Sequence, residues 1–315
     1  MTNSANPKAK VKVAVIGVGH LGQHHARIYS EMPDVELVAV VDTAEARRRE
    51  VGGRLKVRAE ADYRAVLGAV DAVSVAVPTY LHHEIALAFL RAGTDALVEK
   101  PMTRTVDEAD ELVRAAQGRI LQVGHSERYN AAVQVLAELV VAPGFIEVHR
   151  MGPFPGRGTD VDVVLDLMIH DIDIILTLVK SPVTGVTAVG VPVVSERVDI
   201  ANARLEFASG CVANITASRV TGERLRRIRV FQRDTYFVLD YASQELHLFR
   251  PTPVEGSNRS RLTRVDIPVT RSEPLRQELA DFVESVRTRR PPQVPGEAGR
   301  EAVHVAAQIV ERLSG

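Results

Sequence analysis

The sequence predicts an α/β chain, an N-terminal Rossmann domain followed by a C-terminal α+β domain on an open, mostly antiparallel sheet. Three observations carry this. Short β-branched apolar runs alternate with amphipathic helical stretches through the first 125 residues. Such strict alternation with short loops means a parallel sheet with helices on both faces. A glycine-rich turn follows the first of these runs directly. From Val183 to Ile267, strand-like runs succeed one another without a helix between them, the pattern of an antiparallel sheet. The expected domains are 1–125 and 126–315, with the last helix able to pack back on the first domain.

The elements follow in order. Residues 11–16 (VKVAVI) are short and mostly apolar, as a buried parallel strand should be. A helix over 20–31 ends before Pro33, and a strand at 35–41, a helix at 44–51 and a short strand near 56–58 succeed it. Then come a helix over 62–67, a strand at 72–77, a helix over 81–92, a strand at 96–99, a helix over 106–116 and a last strand at 120–123. Beyond His125 the spacing predicts a helix at 131–140, a strand at 145–151, a Gly/Pro-rich loop over 153–160 and a long helix at 161–180. Two helices, 273–288 and 297–313, close the chain around PPQVPG.

Composition narrows the class. With 315 residues there is room for two cores. The 39 Lys and Arg nearly balance the 40 Asp and Glu, which argues against a dedicated nucleic-acid binder. The crowded Arg224, Arg226, Arg227 and Arg229 then read as a solvated face. The single cysteine, Cys211, excludes an internal disulfide and sits in an apolar stretch. No apolar run approaches the roughly 20 residues of a membrane helix, and the first ten residues lack a signal peptide's apolar core. A cytoplasmic protein with no membrane partner is expected.

Gly17-Val18-Gly19-His20-Leu21-Gly22 fits G-x-G-x-x-G between a strand and a helix, and Asp42 lies twenty residues beyond Gly22. A dinucleotide needs a tight turn, close backbone approach to the pyrophosphate and close helix packing, one glycine for each. The pyrophosphate then meets the free N–H groups of the helix start. Asp42 suits the ribose hydroxyls and would repel a 2′-phosphate, so NAD is expected over NADP, although Arg47, Arg48 or Arg49 could fold back onto a phosphate.

Glu99-Lys100-Pro101 stands at the C-terminal end of a parallel strand, the edge where open α/β sheets bind ligands. Val77, Pro78, Thr79 and His82 occupy the same edge one strand earlier and are expected beside the cofactor with Glu99 and Lys100. In the helix of 161–180, Asp162, Asp166 and His170 follow at i, i+4 and i+8 and so share one face. A histidine backed by a carboxylate suits acid–base work. Asp166, His170 and Asp173 could instead hold a metal, but no companion ligand cluster accompanies them, and no metal is expected. A third polar stretch, Gly124 to Asn130 (GHSERYN), lies where the strand series ends.

Together these motifs resemble the Gfo/Idh/MocA oxidoreductases across nearly the whole chain: the fingerprint, Glu99-Lys100-Pro101, Asp166-x-x-x-His170 and the closing helix–PPQVPGEAGR–helix pattern. The resemblance implies reversible hydride transfer between a sugar or cyclitol carbinol and a nicotinamide, with Lys100, Asp166 and His170 as catalytic positions. GHSERYN, DLMIHDIDIIL, DIANARLEFASGCVANITASR and RRIRVFQRDTYFVLDY are similar to the subgroup that oxidises C3 of UDP-N-acetylglucosamine. Tyr129 stands where phenylalanine is expected in that subgroup. His125, Arg128, Tyr129 and Asp173, with Arg157 of the loop for a diphosphate, are the expected substrate contacts; His149 and Arg150 remain unassigned. Two other readings stay open: a non-catalytic sensor of cofactor or sugar, and a glycoside-cleaving enzyme that oxidises transiently. The helices are too few to cover both faces of the second sheet, so pairing into a homodimer or homotetramer is expected.

Overall fold

The computed structural model describes residues 9–154, 161–255 and 259–313. The chain divides into two compact units, 1–124 with 275–300, and 125–274 with 301–315. The segment 275–300, read from the sequence as part of the second domain, thus belongs to the first unit.

The first unit holds a six-stranded parallel sheet in the order β3-β2-β1-β4-β5-β6. Its strands are β1 (Val11–Ile16), β2 (Val35–Val41), β3 (Arg58–Glu60), β4 (Ala72–Val75), β5 (Asp95–Glu99) and β6 (Leu121–Gly124). The helices between them are α1 (Gly22–Glu31), α2 (Glu45–Leu55), α3 (His82–Arg91) and α4 (Val106–Ala115). Burial on both faces explains the continuous apolar runs, with β4 and β5 buried at every position. The stretch at 62–67 forms only a short 3-10 turn, Tyr63–Val66, in place of the expected helix.

Helix α7 (Pro274–Thr288) completes this unit. Its Leu279, Phe282, Val283 and Val286 join Val13, Val15, Ile28 and Leu97 in one apolar cluster. That shared burial is why the helix belongs here rather than with the residues that precede it in sequence. Burying four such side chains contributes on the order of 1.5–3 kcal/mol each.

The second unit carries an eight-stranded sheet, β14-β13-β12-β11-β7-β10-β9-β8. Its strands are β7 (Pro143–Met151), β8 (Val183–Val191), β9 (Ile200–Phe207), β10 (Val212–Ser218), β11 (Leu225–Gln232), β12 (Thr235–Asp240), β13 (Glu245–Pro253) and β14 (Ser260–Ile267). All neighbours are antiparallel except β7 and β10, which run parallel. Helices α5 (Ala131–Leu139) and α6 (Ile169–Val179) pack on the face formed by Ile146, Val148, Ile228, Val230, Phe237 and Leu239. The end of α8 (Gly296–Leu313) reaches the same sheet, Leu313 meeting Gly190.

Among the described residues, no helix covers the opposite face. Across it Phe145, Phe231, Tyr236 and Phe249 stack ring on ring, with centroids 5.7, 5.0 and 4.5 Å apart. Arg229 and Arg227 of the basic run also lie on this face, paired with Glu147 and Asp240. No described helix is long and apolar enough to cross a membrane.

Candidate active site

The turn after β1 uses its three glycines in three ways. Gly17 has φ +84°, and a Cβ there would sit 2.7 Å from the Ala76 carbonyl oxygen. At Gly22 a Cβ would lie 1.8 Å from the Gly17 carbonyl oxygen, so only glycine lets α1 start this close to the strand. At Gly19 the nearest atom would be the Arg47 guanidinium at 3.7 Å, which leaves its backbone open to a ligand. Tight turn, close packing and open approach are the demands of a bound pyrophosphate, and the residues fit it. The exposed His20 and Leu21 stand at this mouth. Because both belong to the turn, α1 begins at Gly22 rather than at residue 20.

Asp42 directly follows β2 and is nearly buried. Its Oδ2 accepts the Val18 N–H at 3.0 Å and its Oδ1 the Ala44 N–H at 2.8 Å. These bonds fix the carboxylate against the glycine turn and leave lone pairs for ribose hydroxyls. Arg47 lies 3.5 Å from Asp42, and Arg49 turns away to Glu45.

Of the neighbouring residues on this sheet edge, His82 and Glu99 face inward. His82 is buried, with ring nitrogens 2.9 Å from the carbonyl oxygens of Pro101 and Val77. It staples the loop of Val77, Pro78 and Thr79 to the Lys100–Pro101 turn; burial lowers its pKa, opposed by those carbonyls. Glu99 is buried as well, accepting from His25 Nε2 at 3.0 Å and from the Lys100 backbone N–H at 3.1 Å. Its room comes from Gly124, where a Cβ would meet the carboxylate at 3.0 Å. Lys100 and Thr79 are part-exposed and Pro78 exposed at the edge itself.

The second unit gathers the other candidates. Asp166 lies in a π-helical turn, Val164–Met168, that leads into α6, and His170 is the second residue of α6; both are part-exposed. Asp162 does not share their face. It precedes the helix, and its carboxylate accepts the Val198 N–H at 3.1 Å. The His125 and His170 rings meet edge to face, centroids 6.3 Å apart. Arg128 pairs with Asp173 at 3.0 Å, and Tyr129 is buried at 2% exposure in the 3-10 turn Ser126–Tyr129. Arg157 lies outside the described residues, as does most of the loop 153–160.

Residues 11–125 match the profile of an oxidoreductase family with an NAD-binding Rossmann fold, and residues 153–235 match the Gfo/Idh/MocA C-terminal domain. The chain is also 38% identical over 304 residues to the UDP-N-acetylglucosamine 3-dehydrogenase of Acidithiobacillus ferrooxidans, spanning 95% of this chain and 96% of that protein. This chain belongs to the Gfo/Idh/MocA family. A solved structure of that Acidithiobacillus enzyme superposes with a TM-score of 0.91 at 36% identity, covering 96% and 97% of the two chains. The myo-inositol 2-dehydrogenase of Thermotoga maritima is 29% identical, with 93% of each chain covered. As a Gfo/Idh/MocA protein the chain is an NAD-dependent oxidoreductase.

Within this Gfo/Idh/MocA chain, two buried groups escaped the sequence reading. Arg150, left unassigned there, holds Asp171 through two bonds of 2.7 and 2.9 Å and Glu127 through one of 3.1 Å. The Tyr241 ring lies 4.9 Å from its guanidinium carbon. Burial works against the guanidinium, but Asp171 and then Glu127 more than offset it and raise its pKa. Burial raises the Asp171 carboxyl in turn, and Arg150 limits the rise. This pairing ties the residue after His170 to the turn that carries Arg128. The inward positions Ile146, Val148, Arg150 along β7 are the signal that could have found it. The second group is His25, Ser74 and Glu278, gathered around Glu99.

Proposed function

We propose that this oxidoreductase acts on a nucleotide sugar of the UDP-N-acetylglucosamine type, oxidising the C3 alcohol to a ketone, with Lys100, Asp166 and His170 as its catalytic residues. The observation that carries the substrate is the likeness over 95% of the chain to the Acidithiobacillus dehydrogenase. The lower identity to an inositol dehydrogenase supports only the wider class, a ring carbinol.

In this reading His170 takes the hydroxyl proton, and the C–H electron pair leaves as hydride while the C=O bond forms. Bound NAD supplies the hydride acceptor. Asp166, four residues before His170, orients the imidazole and steadies its charged form. Lys100 donates to the reacting oxygen as negative charge develops on it. His125, Arg128 and Asp173 contact the sugar. A second copy of the chain covers the open sheet face, for which the ladder of Phe145, Phe231, Tyr236 and Phe249 supplies flat apolar surface. The setting is cytoplasmic.

Mixing the protein with NAD and UDP-N-acetylglucosamine gives a rise in reduced-cofactor absorbance. Lys100→Ala lowers turnover by roughly 10²–10⁴-fold while NAD still binds. Normal turnover in that variant removes Lys100 from the chemistry. No absorbance rise, with release of a sugar from a glycoside, replaces the dehydrogenase by the cleaving enzyme.

A further inference from the structure

Behind the Lys100 strand end, the first unit buries more acid than base. Glu278 on α7 is fully buried, and neither carboxyl oxygen has a hydrogen-bond partner. One of its oxygens, a ring nitrogen of His25 and an oxygen of Glu99 all lie within 4.8 Å of one another. An ionised carboxylate without partners cannot stay in such a place at an acceptable cost; it takes up a proton instead. Glu99 differs in having three donors or cations at hand: His25 Nε2, the Lys100 backbone N–H and the Lys100 charge.

The groups facing Glu278 come from every element packed around it. Helix α1 brings His25 and Tyr29, β4 brings Ser74, β5 brings Glu99, and β6 brings Gln122, whose amide donates to the Glu278 carbonyl at 3.0 Å. On its own helix stands Asp281. Among the described residues named here around Glu278, the one basic side chain is the His25 imidazole, and its second nitrogen is 2.6 Å from Ser74 Oγ. One imidazole cannot neutralise two carboxylates. Burial, then the negative charges of Glu99 and Asp281, push the Glu278 carboxyl well above the usual range. Burial alone would raise Glu99 too, but the His25 hydrogen bond and charge, then Lys100, bring it below that range. Two carboxyls in one buried site divide in this way because only one ionises readily.

We propose that Glu278 is a positioning residue for Lys100: held as a neutral carboxylic acid, it leaves Glu99 as the single anion of the set, able to anchor the Lys100 backbone. This rests on the reading of Lys100 as a catalytic residue. If Glu278 ionises, Glu99 must share or surrender its negative charge and its hold on the Lys100 N–H weakens. The same three side chains have the reach to hold a cation. However, both His25 nitrogens already face Ser74 and Glu99, and a protonated acid is a poor ligand.

The test uses the full chain and its Glu278→Gln variant, a neutral isostere. In infrared difference spectra at neutral pH, the wild type shows the C=O band of a protonated carboxylic acid, and the variant lacks it. At neutral pH, kcat and KM in Glu278→Gln stay within about twofold of wild type. Above the Glu278 pKa, wild-type kcat falls by up to about tenfold per pH unit, whereas the variant loses this limb and NAD affinity is the same in both. Absence of the band, an identical alkaline limb, or a stoichiometric metal lost in the variant would each overturn the proposal. A Lys100→Ala protein with normal turnover sinks the catalytic reading instead, and the infrared band still reports on Glu278 alone.

Discussion

The first unit buries Glu99 and Glu278 beside one imidazole, whereas the second buries Asp171 and most of Glu127 against the guanidinium of Arg150. Both clusters sit next to candidate catalytic residues, Lys100 in one case and His170 in the other. They solve the cost of buried charge by different routes. In the second unit, a planar, permanently charged fork satisfies two oxygens of Asp171 and one of Glu127 at once. In the first, the surplus carboxyl keeps a proton. A cluster balanced by ion pairing fails when a partner is removed; one balanced by a proton fails when pH rises.

The largest effect should come from Arg150→Met, which leaves Asp171 and Glu127 without their cation. A loss of about 3–5 kcal/mol is expected in urea melts, and a loss below about 1 kcal/mol would mean that the pair is dispensable. The pH response sharpens the contrast. Glu278 has a folded pKa raised above its unfolded value, so its contribution to stability is fully present below the unfolded pKa, about 4.3. It is lost as pH rises through the folded pKa. Melts of wild type and Glu278→Gln should therefore converge in acid relative to alkaline solution, with the wild type losing ground as pH increases; a constant difference would equate the two clusters. The mildest expected change is Tyr236→Lys on the open sheet face. It should shift light scattering toward the monomer while leaving the two clusters, and the far-UV spectrum, as they were.

The parallel sheet was legible because each strand is a short apolar run closed by a turn, and Gly17, Gly22 and Asp42 lie where the fingerprint requires. Boundaries drifted where a tertiary contact decided them. Helix α2 runs on to Leu55 through Gly52, whose missing side chain lets it close against Ala59. The π-turn before His170 has no residue signature, since an i→i+5 bond demands no particular side chain, so Asp162 looked like a member of the Asp166–His170 face. His82 and Glu99 lie at the sheet edge the sequence indicated, but both are buried, because whether a side chain points out or in depends on partners distant in sequence. Glu278 was hidden for the same reason: its meaning comes from Glu99, 179 positions earlier.

Helix α7 has a consequence for how the chain is made. Residues 1–124 contain every strand of the parallel sheet, yet the apolar cluster over β1, β4 and β5 is completed by Leu279, Phe282, Val283 and Val286 beside Ala26, Ile28 and Tyr29 of α1. During synthesis the nucleotide-binding unit therefore lacks part of its apolar cover until residues 279–286 have emerged. Its exposed valines and leucines are a surface for chaperones or for aggregation in the interval. A fragment cut at residue 124 inherits that exposure permanently.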